Sequence, residues 1–305
     1  LRALVVRATG YIGSAVARRF KAAGAAVAGI ARSAHNAEVL EGEGVIPVAG
    51  DLDHPATIAA AARDFDITVL AGIGSGTDER AVVSAVIESC RRSARRFIYT
   101  SGTGVLGIES RDGQWSDYTF AEDDPFPFPG GATRAWRLPT EDMVRTAGLE
   151  GVAGMVIRPP LIYGRGGSTQ VPAIFKSVRT TGSACYVGAG LNLYSNVHVD
   201  DLADLYWLVA TNGASGALYH AVSGEADFRS IAEAVASVLQ CPTRSVTFEE
   251  GCGIWGEQIA GVALAVNSRS IARRSQQELG WKPRHRDIIH DIRAGSYFEK
   301  HTPAG

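Results

Sequence analysis

Residues 1–33 read LRALVVRATGYIGSAVARRFKAAGAAVAGIARS, and this run decides the fold. Arg2-Ala3-Leu4-Val5-Val6 is a short apolar run with strand character, and Thr9-Gly10-Tyr11-Ile12-Gly13 is a turn opening a helix over Ser14 to Ala23. Ala26-Val27-Ala28-Gly29-Ile30 returns as a second strand. This order is the βαβ start of a dinucleotide-binding fold, in which backbone N–H groups at the helix N-terminus hold a pyrophosphate. In the spacing G-x-x-G-x-x-G that such a turn carries, Gly10 and Gly13 fill the last two positions and Arg7 stands in the first. A glycine there turns the chain tightly without a Cβ against the ligand, so the arginine either displaces the dinucleotide or swings outward to pair with a phosphate. The sequence leaves both open.

Beyond this unit the alternation continues. Val45 to Val48 reads as a strand leading to Gly50-Asp51-Leu52-Asp53, Ala56 to Arg63 as a helix, and Ile67 to Leu70 as a strand ending in Ala71-Gly72-Ile73-Gly74-Ser75-Gly76. A helix over Glu79 to Ser93 crosses to a strand over Arg96 to Thr100, and a helix from about Arg134 to Ala147 crosses to one over Val152 to Arg158. Such a pitch implies an α/β doubly wound parallel sheet with right-handed crossovers. Ser110 to Gly131 breaks the rhythm with Trp115, Tyr118 and three phenylalanines, and reads as a loop over the cleft. The expected organisation is a dinucleotide-binding domain over 1–165, with 196–222 returning to it. A smaller C-terminal α/β substrate-binding lobe is expected from 166–195 and 223–305.

Composition bounds the class. The 305 residues are 46% hydrophobic, enough for a large core, and 30 basic against 32 acidic residues give a net charge of −2 with no long run of one sign. Neither nucleic acid nor a membrane surface is an expected partner. Cys90, Cys185, Cys241 and Cys252 are scattered, with no C-x-x-C pair, which favours a reduced, cytoplasmic chain without a metal site. The apolar run before Arg7 is too short for a signal-peptide core, and no apolar window reaches membrane-spanning length. The chain opens at Leu1 rather than Met, so a true start upstream is expected.

Several ordered motifs carry a resemblance. Thr9 to Gly13, Gly50-Asp51-Leu52, Tyr99-Thr100-Ser101-Gly102, Arg158-Pro159-Pro160-Leu161-Ile162-Tyr163-Gly164, Val197 to Ala203 and Leu279-Gly280-Trp281-Lys282-Pro283 together resemble the extended short-chain dehydrogenases/reductases, the NAD-dependent epimerase/dehydratase superfamily. The resemblance spans nearly the whole chain and implies a Rossmann sheet. It places Gly10 to Gly13 at the pyrophosphate, Asp51 and Leu52 at the adenine, Ala71 and Gly72 at the ribose and phosphates, and the backbone around Pro160 to Ile162 at the nicotinamide, with Thr9 and Thr100 also among the cofactor-binding residues. Where an acidic residue would hold the adenine ribose of NAD, this chain has Arg32-Ser33, which favours NADP (NADPH); the plainer reading of Arg32 is a solvated surface residue. A homodimer is expected by analogy only.

The same resemblance implies a Tyr-x-x-x-Lys pair on a helix, yet the aligned positions hold Thr133 and Arg137, and the expected strand-end serine falls on Gly102. Threonine has no phenolate-like state and arginine stays protonated, so neither replaces its counterpart in proton transfer. The candidate catalytic residues are therefore Ser101 and Thr103, at the carboxyl end of a parallel strand, and Tyr163, with Tyr118, Tyr194 and His198 behind them. Each also has a bland reading: the tyrosines pack, and His198 caps a helix start. Asp200-Asp201 beside His198 is read as helix-start charge rather than a metal site.

The expectation is an NADPH-dependent reductase of a carbonyl or conjugated double bond in an apolar or aromatic small-molecule metabolite. Two alternatives stand beside it: a non-redox isomerase, dehydratase or cyclase on the same fold, and a non-catalytic NADP-binding regulator.

Overall fold

The computed structural model describes residues 1–72, 78–129 and 131–301. Seven parallel strands form the main sheet, and five come from the first hundred residues: β1 (Arg2–Val6), β2 (Ala26–Ala31), β3 (Ile46–Ala49), β4 (Ile67–Leu70) and β5 (Arg96–Thr100). Between them run α1 (Tyr11–Ala22), α2 (Ala34–Gly42), α3 (Pro55–Ala62) and α4 (Glu79–Ser89). β6 (Ile108–Glu109) is a short ribbon, α5 (Ala132–Thr146) follows, and β7 (Ala153–Arg158) rejoins the sheet. β4 and β7 are all but wholly buried apolar runs, as strands covered on both faces require.

The remaining chain contains β8 (Leu161–Tyr163), α6 (Gln170–Thr181), β9 (Ala184–Val187), β10 (Leu193–His198), α7 (Val199–Asn212), β11 (Leu218–His220), β12 (Gly224–Asp227), α8 (Phe228–Leu239), β13 (Thr243–Val246) and β14 (Val266–Asn267). The main sheet has the order β11-β7-β5-β4-β1-β2-β3, reversing direction between β1 and β4. That reversal opens a crevice at the carboxyl ends of the strands, where such sheets bind ligands. β10 pairs with β8 and β12 in a separate three-stranded sheet, whereas α7 packs on α1 and β11 pairs with β7 in the main sheet. The segment over 196–222 therefore divides: its first three residues stay with the small sheet.

Two cores follow the two sheets. One side of the main sheet packs Val5, Val16, Phe20, Leu205 and Tyr206, while Leu161, Phe175, Phe228, Ile231 and Tyr297 fill the smaller lobe. α2 buries only Leu40, so apolar periodicity does not mark it in the sequence; its start is set by Ser33, whose hydroxyl accepts the Asn36 N–H. The aromatic loop does not hang free. Phe120, Phe126 and Phe128 pack on Val105, Leu106 and Leu138, and Phe120 pairs with Ser270 of the far lobe.

Candidate functional site

β1 ends at Val6, and Arg7 takes φ 64°, in the left-handed region that favours glycine. Its carbonyl accepts the Gly10 N–H at 2.8 Å, closing the turn. A Cβ on Gly13 would stand 2.1 Å from that same carbonyl oxygen, so only glycine lets α1 lie this close to the strand end. The Arg7 side chain reaches over Gly10, with Nε 3.8 Å from where a Cβ on Gly10 would be. It thus lies over the N-terminus of α1, whose N-cap Gly10 brings no side-chain acceptor. Among the described residues the Arg7 guanidinium has no hydrogen-bond or ion-pair partner.

Two cavities meet at Arg7 and Gly10. The outer, of about 360 Å³, is lined by Thr9, Arg32, Asp51 and Leu52 together with Asn36 and Asp53. The inner, of about 390 Å³, is lined by Tyr11, Ile12, Ala71, Gly72, Pro160 and Ile162 and by Ser168, Thr169 and Gln170. They form one elongated cleft with an unpaired arginine at its waist and a helix N-terminus below, an arrangement that fits a dinucleotide with its diphosphate at the waist. Arg7→Gly relieves a left-handed strain of about 1–2 kcal/mol and restores some unfolded-chain entropy, for a net gain of ~1 kcal/mol in urea unfolding.

Some expected ligands lie elsewhere. Ser33 spends its hydroxyl capping α2 rather than facing the cleft, and Thr100 is buried with its hydroxyl against that of Tyr206. Ile73 to Gly76 lie outside the described residues. Asn36, Ser168, Thr169 and Gln170 were not legible as lining residues. The only signal was the small-residue run Gly166-Gly167-Ser168-Thr169 following Tyr163-Gly164.

The catalytic candidates separate. Tyr163 is a correction: β8 alternates, so Ile162 faces the cleft and Tyr163 turns into the smaller lobe's core, 1% exposed and edge-on to His198. Burial pushes its phenol well above the usual tyrosine range. Ser101 is buried and donates to Glu141, which forms a two-pronged ion pair with Arg158, one contact being Nε to Oε1 at 2.9 Å. Thr103 is buried too, its carbonyl and hydroxyl receiving Ser268 Oγ at 2.8 and 3.1 Å. Tyr194, from β10, joins this hydroxyl cluster; burial raises its phenol, and the Ser268 and Thr103 hydroxyls and the Arg137 charge oppose that rise. His198 caps α7, its Nδ1 accepting the Asp200 N–H at 3.2 Å.

Thr133 and Arg137 occupy the same face of α5. A Cβ on Gly104 would lie 3.5 Å from Thr133 Cγ2 and 3.9 Å from the Tyr194 hydroxyl, and one on Gly102 would lie 3.2 Å from Arg137 Nη1. The end of β5 is therefore roofed by Thr133 and Arg137. Glu79, at the start of α4, binds the Tyr99 hydroxyl, and burial pushes its carboxyl up to about 7 against the pull of Arg137.

Arg158 also faces a buried histidine. His220 is fully enclosed, its Nδ1 3.2 Å from the Ile271 carbonyl, and burial first, then the Arg158 charge, pushes its pKa down to about 3. The unfolded histidine takes a proton near pH 6.5 and the folded one does not, so stability falls as pH drops from 6.5 toward 3. The loss is about 2 kcal/mol at pH 5, and His220→Gln flattens that part of the urea-unfolding pH profile. An unchanged slope would show that His220 is protonated in the fold.

Among the described residues no cluster of three or more His, Cys, Asp or Glu could hold a metal ion, and no helix is long and apolar enough to cross a membrane. The model of the NAD dependent epimerase/dehydratase family matches residues 3–223. An uncharacterized protein of Schizosaccharomyces pombe is 30% identical, covering 98% of this chain and 100% of its own length. The 2-alkyl-3-oxoalkanoate reductase of Stenotrophomonas maltophilia is 29% identical, over 76% of this chain and 71% of its own. Among solved structures, dTDP-glucose 4,6-dehydratase from Bacillus anthracis in complex with NAD superposes with a TM-score of 0.77 at 15% identity, covering 99% of this chain and 97% of that one.

Proposed function

The chain belongs to the NAD dependent epimerase/dehydratase family, and we propose that within it the protein is an NADPH-dependent reductase of a carbonyl, or of a double bond conjugated to one, in an apolar small metabolite. The observation that carries this reading is the cleft itself. Two cavities joined at Arg7 and Gly10 suit a dinucleotide, and Arg32, exposed and without a partner among the described residues, stands at the outer one. A free guanidinium at the end of β2 suits a ribose 2′-phosphate rather than a bare 2′-hydroxyl. The reductase relative supports the reaction class.

The bound cofactor supplies the hydride. Arg7 would hold the diphosphate over the α1 N-terminus, and Asp51, Leu52 and Asn36 would enclose the adenosine end. Ala71, Gly72, Pro160 and Ile162 form the walls of the nicotinamide end. The hydroxyl cluster of Thr103, Ser268 and Tyr194 holds the proton for the substrate oxygen, the place vacated by Tyr163. Ser101, fixed by Glu141, sets the strand end that carries Thr103.

Calorimetric titration tests the cofactor half. Arg32→Ala is expected to weaken NADPH binding about thirtyfold with NADH affinity unchanged, and Arg7→Gly to weaken both about tenfold. Equal binding of both cofactors by the native chain would remove the NADPH assignment. A second reading, non-redox chemistry on the same fold, draws on Thr133 and Arg137 standing where a proton-transferring pair belongs. Substrate turnover with no change in NADPH absorbance would favour it, and tight NADP binding with no turnover of any substrate would favour a regulator.

A further inference from the structure

Among the described residues Arg137 forms no ion pair, although its charge is felt by Glu79. It is half-buried at the end of β5, with Nη1 against Gly102, its guanidinium carbon 4.7 Å from the Trp136 ring centroid, and its Nε buried without a hydrogen-bond partner. Among the described residues no carboxylate lies within ion-pair distance of it. The two acids that feel or flank it are committed elsewhere: Glu141 to Arg158 and Ser101, Glu79 to the Tyr99 hydroxyl. A guanidinium withdrawn from water and left unpaired is unfavourable. Arg134, one turn earlier on α5, adds a second positive charge, donating to the Val105 carbonyl and stacking on Phe126 at 4.5 Å. Thr103, Ser268 and Tyr194 below bring hydroxyls and no charge. The end of β5 is therefore net positive beside a cluster of hydroxyls, and Trp136 and Tyr118 present apolar surface, each about half exposed.

We propose that Arg137 receives a carboxylate of the substrate, so that the site takes an oxo acid with an apolar tail in preference to a neutral ketone. The guanidinium holds the acid beside Gly102, the tail lies along Trp136 and the aromatic loop, and the carbonyl is left over the Thr103–Ser268–Tyr194 hydroxyls. This rests on the reductase reading for the identity of the reacting carbonyl, but the charge recognition is measurable without turnover.

The probes are 2-methyl-3-hydroxybutanoate and its ethyl ester, titrated calorimetrically into the NADPH-saturated native chain, Arg137→Met and Arg137→Lys, since an alcohol cannot react with the reduced cofactor. The acid is expected to bind about thirtyfold more tightly than the ester to the native chain. The ratio falls to near one in Arg137→Met and is partly kept in Arg137→Lys, because a charge survives without the bidentate fork. A ratio near one in the native chain, a preference that survives Arg137→Met, or no binding of either probe would overturn the proposal. So would a loss of NADPH affinity in Arg137→Met matching the loss for the acid, which would give Arg137 a cofactor-holding role instead. NADPH oxidation with ethyl 2-methylacetoacetate, measured in parallel, separates the two claims. Reduction without an Arg137-dependent acid preference keeps the reductase and removes this inference, whereas the preference without any reduction does the reverse.

Discussion

Arg158→Met is expected to destabilise the protein by about 3–5 kcal/mol, read as a fall in the urea-unfolding midpoint at pH 7.5. The Glu141 side chain is 2% exposed and that of Arg158 8%, so the substitution leaves a carboxylate in the interior with Ser101 as its remaining side-chain donor. The double variant Glu141→Leu/Arg158→Met removes both charges and recovers most of that loss, since a buried ion pair is worth far less than the penalty of breaking it on one side. The same variant frees His220 from a repelling charge, so its acid sensitivity weakens alongside. A single-variant loss below about 1 kcal/mol would mean that water reaches the pair.

Gly13→Ala carries the second large effect, about 3 kcal/mol of stability together with at least tenfold in NADPH affinity. The added methyl would meet the Arg7 carbonyl oxygen at 2.1 Å and carbon at 2.7 Å, and both are backbone, so the helix itself has to move. That movement separates the α1 N–H groups from the waist of the cleft. Gly10→Ala makes the internal comparison, because its Cβ would meet the same oxygen at 3.2 Å, and a smaller loss is expected. If both variants bind NADPH like the native chain, the diphosphate does not lie on this turn.

The strand and helix order up to residue 158 was readable because it is local. β4 and β5 fall where their apolar runs and turn residues place them, and α1 begins three residues before the sequence reading because its turn residues are already helical. α4 ends at Ser89 rather than Ser93, since Cys90 to Ala94 close a tight turn with Arg92 and Ala94 at positive φ. α2 escaped notice because a helix with one buried residue leaves no period to read.

Within the cleft, most of the lining positions also came from local spacing: the turn at Thr9 to Gly13, Arg32 about twenty residues on, and Asp51-Leu52 after a strand. Backbone N–H groups and a strand-end side chain do that work, and their direction is set within a few residues. The substrate end is different. Whether Ser101 is free or held by Glu141 forty residues away, and whether the hydroxyl over Gly104 comes from α5 or from Tyr194 of the other lobe, depends on contacts between segments the sequence does not order in space. Tyr163 shows the smallest version of the same fact, one step of strand parity turning a cleft residue into a core residue. The sequence by itself determined the family, the alternating sheet and the glycine turn, because each is written in neighbouring residues. Only the tertiary structure decided which charges are paired and which, like Arg7 and Arg137, have no ion-pair partner among the described residues, because pairing is a matter of distance across the fold.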